Sequence, residues 1–284
     1  MGIGSSHAAP ARYVTLAYGG APMVYRQSLM LLVSLAAHAP EPHEFVVATD
    51  RPECFVWFGT RVEIEYLDQA RLDGWRGPQP FSMRQKLELL RAAWPQTGSI
   101  VLLDADVLAL RPLDAFLSQL HGGAMFMHKQ EYILSRSRRA GNRRLWAKLR
   151  TLKSTVNVTA ADAMWNSGVI ALPSTALALV DRALVLYDEF AAAGVRHFAT
   201  EQLVESLTFS RAGTLHAAAP WFAHYWGNKR GYDAEIARLL AEAFVEGLSV
   251  KEAAERYRER PIDLPVEMRA TRAKKLRRWL TRRQ

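Results

Sequence analysis

The segment SIVLLDADVLALRPLDAF, residues 99–116, is where the rest of the chain takes its meaning. Residues 100–103 are a short, bounded apolar run, the pattern of a strand buried on both faces of an α/β sheet. The run ends in Asp104-Ala105-Asp106, two carboxylates on either side of one small residue. Ligands of open α/β sheets gather at the carboxyl ends of the strands. Alternation along an extended chain points Asp104 and Asp106 the same way, and Ala105 leaves room beside the backbone. Two hard oxygen donors so placed suit Mg²⁺ or Mn²⁺, which keep positions open for water or phosphate. Arg111-Pro112-Leu113 then turns the chain into a short helix opening near Asp114. Aspartates also end strands simply as turn formers, so the pair gains specificity only from partners elsewhere.

Upstream, the pattern alternates strand and helix. Residues 13–18 (YVTLAY) read as a first strand, followed by the loop Gly19-Gly20-Ala21-Pro22. A helix over 23–38 carries Met23, Leu29, Leu32, Val33 and Ala36 near helical spacing. Strands follow at 45–49 and 62–67. Beyond the Gly/Pro-rich 74–80, a helix over 82–94 has Ser82 as N-cap and Pro95 as stop. This order predicts a Rossmann-like, doubly wound half.

Downstream, 123–128 reads as a strand, and Trp165-Asn166-Ser167-Gly168-Val169 leads into another buried one. A helix over 174–193 closes at Gly194, and Thr200 is placed to cap a short helix carrying Glu201-Gln202. Residues 215–219 read as an edge strand and 224–229 as a loop, with helix from about Asp233.

The chain has 284 residues, enough for one large domain with a sizeable core, and hydrophobic residues make up 49% of it. Its one cysteine, Cys54, permits no internal disulfide, and no apolar leader or spanning segment is visible. Both features point to a reducing, cytoplasmic setting. The formal charge of +9 is uneven: 136–153 and 269–283 each hold eight Lys or Arg and no acid. Without those sixteen, 21 basic residues face 28 acidic ones, so the body is net acidic.

Five features occur together in order: the VTLA first strand, Lys86 in the helix before the central strand, IVLLDADVLAL, WNSGV, and Glu-Gln ahead of a His-x-x-Gly loop. They span about 15 to 229. In this the chain resembles the GT-A glycosyltransferases, most closely glycosyltransferase family 8, the group of glycogenin and bacterial lipopolysaccharide galactosyltransferases. The resemblance implies a GT-A mixed sheet flanked by helices over 12–232. A disordered N-terminus (1–11), a basic helical insertion (136–153) and a helical extension (233–284) would complete the chain.

It further implies a nucleotide-sugar donor, with uridine as the default base, and a Mn²⁺ or Mg²⁺ cofactor held by Asp104, Asp106 and His224. Thr15, Ala17 and Tyr18 would line the base. Lys86 and Ala105 would meet the donor, and Asn166, Ser167 and Gly168 would lie beneath its sugar. Gly227 and Lys229 would hold the diphosphate. The spacing His-x-x-Gly-x-Lys is one residue shorter than the usual family form, which leaves Arg230 as an alternative to Lys229. The loop after Ala17 is also short and lacks the family's acidic residue. By the family's roles Glu201 holds sugar hydroxyls and Gln202 sits beneath the anomeric carbon. An amide is a poor nucleophile, so same-face attack with retention is favoured over a covalent intermediate. The acceptor would be a glycan or lipid-linked glycan.

Two rival readings use other features. A nucleotidyltransferase would share the sheet and metal, but a cation-bearing Gly-rich loop is missing after the first strand. A nucleic-acid-binding protein would use the basic segments, yet their Leu and Trp residues fall at helical spacing. In 266–284, Ala270, Ala273, Leu276 and Leu280 form such a stripe beside Trp279. That pattern predicts peripheral docking of the enzyme on an anionic membrane surface.

Overall fold

The computed structural model describes residues 10–77, 83–152 and 154–262. Four strands, β1 (Ala11–Ala17), β2 (His43–Thr49), β3 (Val62–Tyr66) and β4 (Ser99–Leu103), run parallel in the spatial order 3-2-1-4. The sheet continues past β4 with β7 (Ala163–Pro173) and then β6 (Met125–Ile133), each antiparallel to its predecessor. β8 (Leu215–Ala217) closes the edge, giving seven strands. Two reversals make β6 parallel to β4, so the carboxyl end of β6 and the start of β7 lie on the same rim as the end of β4.

Helices cover both faces. Along β4, Val101 and Leu103 enter one core while Ile100 and Leu102 enter the other, as alternation in a doubly covered strand requires. The first core lies under α1 (Pro22–His38), α4 (Asp114–His121), α8 (Lys229–Val245) and α9 (Val250–Glu259). The second lies under α2 (Gln69–Arg76), α3 (Arg84–Ala92), α5 (Ala140–Leu149), α6 (Leu177–Ala192) and α7 (Thr200–Ala212). Each fully buried Leu or Phe in these layers contributes about 1.5–3 kcal/mol. The protein is therefore α/β, a mixed seven-stranded sheet between helical layers, compatible with a Rossmann-like fold.

Several details differ from the sequence-based expectations. The helix expected over 174–193 opens as a 3₁₀ turn, Ser174–Ala176, before α6 begins. It does end at Gly194, whose φ of 71° suits a residue without Cβ. Thr200 is the first residue of α7 and not its cap: its Oγ1 donates backward to His197 O at 2.6 Å. The loop expected at 224–229 is the end of one strand, a 3₁₀ turn (Trp226–Asn228) and the start of α8. The expected boundary at 232/233 falls inside α8. Together with α9, this helix packs in the α1 core, and Tyr257 Oη donates to Ala109 O at 2.8 Å. Ser82 and the amphipathic stripe of 266–284 lie outside the described residues, as does most of the 1–11 segment. Among the described residues no helix is long and apolar enough to cross a membrane.

Candidate metal centre and cleft

A second, two-stranded sheet builds the centre. β5 (Val107–Ala109) pairs antiparallel with β9 (Phe222–His224), setting Val107 opposite His224. Asp106 immediately precedes β5, and its carbonyl accepts from Tyr225 N at 3.1 Å. Asp104, one residue past β4, donates its N–H to Gly168 O at 2.9 Å. These backbone ties bring one ligand atom each from Asp104, Asp106 and His224 within 4.8 Å of one another.

The imidazole is oriented by Asn166. His224 Nδ1 lies 2.7 Å from Asn166 Oδ1, which also accepts the Gly168 N–H at 3.0 Å. The Asn166 amide donates from Nδ2 to Glu131 at 3.2 Å. An Oδ1 fixed as acceptor by two neighbours places the imidazole proton on Nδ1. Nε2 is then the nitrogen left for a metal, and it faces Asp104 Oδ2 at 3.7 Å and Asp106 Oδ1 at 3.4 Å. Adjacent ligands of a six-coordinate ion with bonds near 2.1 Å lie about 3 Å apart. Two carboxylates and a lone pair converging at such separations fit a small divalent cation, and the Asn166 contact is the outer support such ligands need. Gly168 makes the approach possible: a Cβ there would lie 2.2 Å from His224 Nδ1.

Two lysines answer the acids. Lys86 Nζ lies 2.5 Å from Asp104 Oδ1 and 3.5 Å from Glu201 Oε1. Burial alone would lower the Lys86 pKa, but Asp104, Glu201 and Glu205 together hold it above its ordinary value. Lys229 Nζ lies 2.8 Å from Asp106 Oδ2. Burial pushes the Asp106 carboxyl up, yet His224 and Lys229 outweigh it and hold the group below the usual carboxylate range. One turn along α7, Glu201 and Glu205 are both buried with a single lysine between them. Burial first, and then the Glu201 charge, push Glu205 well above its ordinary value, so this pair retains a proton. Near the centre, burial lowers the His128 pKa to about 4.

The centre opens into a cleft of about 1120 Å³. Its walls include Lys86, Asn166, Ser167, Glu201, Gln202 and Lys229, so most of the expected residues meet there. Thr15 and Ala17 do not line it: both are buried in β1, and Thr15 Oγ1 donates to Leu103 O at 2.9 Å. Tyr18 reaches Gln85 instead. Ala105 follows β4, Gly227 lies within the Trp226–Asn228 turn, and Arg230 is exposed on α8. Three residues escaped the sequence reading. Glu131 joins Asn166 to Gln202, whose Nε2 donates to it at 3.3 Å; nothing in its neighbourhood marks it. Glu205 had a signal, a carboxylate one turn after Glu201 on an otherwise apolar helix face. His128 is hidden in an apolar strand. No protein-family model matches this chain, and no curated protein matches it.

Proposed function

We propose that this chain is a metal-dependent, retaining glycosyltransferase of GT-A architecture that takes its sugar from a nucleotide diphosphate donor. The observation that carries this reading is the convergence of Asp104, Asp106 and the His224 Nε2 lone pair at the rim of a mixed α/β sheet. A bound Mn²⁺ or Mg²⁺ would neutralise charge building on a departing diphosphate. Lys229, exposed enough to swing from Asp106, would follow that charge, while Lys86 stays fixed between Asp104 and Glu201. Glu201 orients the sugar, and the Gln202 amide lies beside its reacting carbon. The bond from that carbon to the diphosphate oxygen breaks as the acceptor oxygen bonds to the same face. The acceptor proton passes to the leaving phosphate oxygen. The ion pairs of Lys86 and Lys229 with these acids set this arrangement before any ligand arrives, so positioning supplies much of the rate.

The test is a panel of nucleotide sugars with Mn²⁺, read by calorimetry and by hydrolysis of the donor. Wild type should bind uridine diphosphate in a metal-dependent way and release sugar slowly from one panel member. Asp106→Ala should weaken Mn²⁺-dependent binding at least 100-fold while the protein stays folded. Unchanged affinity in that variant would sink the proposal.

A further inference from the structure

The metal centre does not use a set of cations that lines the same cleft. Arg136, Arg138, Arg139 and Arg196 belong to its wall, beside the aromatic rings of Phe198 and Trp226. Among the described residues, the acids of the cleft already have polar partners of their own. Asp104 and Glu201 face Lys86, Asp106 faces Lys229, and Glu131 accepts from two amides. None of the four arginines has a described carboxylate within ion-pair distance. They are cations without an internal task.

The fold also fixes their side of the cleft. β6 ends at Ile133 and Arg136 closes the 3₁₀ turn that follows, so this segment lies two strands beyond β4, away from β1 and β2. Leu134 N donates to Asp162 O at 2.8 Å, and Ser135 Oγ donates to Ala160 O at 2.6 Å, which pin the turn. Arg139 precedes the first turn of α5, where no side chain caps the free amides and no acid is present. A helix start of that kind favours an anion. Arg196 comes from the loop between α6 and α7, which lines a smaller pocket together with Gly141 of α5 and is held by Thr200 Oγ1 on His197 O and by Ala199 N on His197 Nδ1 at 3.2 Å. Phe198, packed on the His197 ring at 4.6 Å between centroids, is 71% exposed and Trp226 40%, so both present ring surface to the cleft.

We infer that this wall is the acceptor subsite and that it takes a saccharide bearing an anionic group, phosphate or carboxylate. The inference rests on the glycosyl-transfer reading for the word acceptor; the anionic-saccharide site itself rests on the arginines and rings alone. Guanidinium forks pair in bidentate fashion with either oxyanion, and the rings offer apolar faces to the sugar.

The test uses the full-length protein and calorimetry with four probes: trehalose 6-phosphate, trehalose, cellobiouronic acid and cellobiose. At least one anionic disaccharide should bind tenfold or more tightly than its neutral counterpart, and which one does so names the group. Arg138→Ala/Arg139→Ala/Arg196→Ala should lose that preference, and the matching Lys substitutions should keep part of it. Arg182→Ala, on α6 outside the cleft, controls for net charge and should change nothing. Binding of uridine diphosphate with Mn²⁺ should shift less than twofold in the triple variant. Equal binding of anionic and neutral probes, or a triple variant that keeps the preference, overturns the inference. Should inorganic phosphate bind as tightly as trehalose 6-phosphate, the wall is an anion site and the saccharide assignment fails. Should wild type show the preference yet not bind uridine diphosphate, the donor reading fails and the anionic-saccharide site stands.

Discussion

At the seam of β4 and β7 the carboxylates face lysines, whereas among the described residues the arginines beyond β6 face no carboxylate within ion-pair distance. The seam is buried: Asp106 is 4% exposed, Glu201 3% and Lys86 8%. Charges taken that far from water are costly unless matched, and breaking one pair strands its partner. The wall faces solvent, where an isolated arginine is fully hydrated and costs the fold little. The contrast separates residues that the fold itself requires from residues held in reserve for a ligand. Substitutions in the seam should therefore disturb structure and binding together. Substitutions on the wall should disturb one kind of ligand and leave unfolding unchanged.

The strongest way to break the seam is Gly168→Ala. The added methyl would meet three atoms of the His224 ring at 2.2–2.6 Å, so either the imidazole or the β7 backbone must move. Overpacking of this kind costs about 1–3 kcal/mol. If about 2 kcal/mol of that falls on the metal ligand, Mn²⁺ affinity drops roughly 30-fold. Calorimetric titration of Mn²⁺, with a thermal melt alongside, measures both parts. Wild-type affinity in this variant would mean that His224 is not where the ion sits.

Gln202→Ala sharpens the comparison at the border of the two regions. Gln202 reaches Glu131 and through it the Asn166 support of His224, yet it touches neither lysine nor carboxylate of the metal group. Turnover should fall about 100-fold while donor affinity changes less than threefold, the pattern of a group that acts on the reacting carbon. The product, followed by NMR, should keep its anomeric configuration. Equal losses in affinity and turnover would move Gln202 into the binding set.

The parallel half of the sheet was legible because β1, β2 and β4 are largely buried apolar runs; β3, with Val62 its one buried residue, is the exception. Residues 13–18, 45–49, 62–67 and 100–103 each lie within or against an observed strand. The device that assembles the centre was not legible. β5 and β9 have three residues each, too few for a period, and their pairing joins positions more than 100 residues apart. His224 was singled out by its His-x-x-Gly setting, but the sequence placed it in a loop, and only the register against Val107 explains its approach to Asp106. α2 was missed because its sequence, QARLDGWR, offers a single buried residue, Leu72. The run 136–153 read as one basic insertion because charge was counted along the chain. In space it divides, three of its arginines lining the cleft and the rest carried on or beyond α5.

The smallest expected effect concerns the proton kept within the seam. Glu205 is fully buried, and burial together with the nearby Glu201 charge raises its pKa well above the ordinary 4.5. A carboxyl with a raised folded-state pKa leaves stability untouched below the unfolded value. As pH rises past that value the unfolded chain releases its proton first, so stability declines until the folded state ionises too. Glu205→Gln keeps the shape and polarity of the protonated acid but has no proton to lose. The melting temperature of the variant should therefore gain on wild type steadily between about pH 5 and about pH 8, by roughly a few degrees at the upper end. Donor affinity should change less than threefold, because Glu205 does not line the cleft. Melts across that range, with one calorimetric titration at neutral pH, are sufficient. A difference that stays flat with pH, or shrinks, would mean that Glu205 is ionised and that Lys86 faces three carboxylates, Asp104, Glu201 and Glu205.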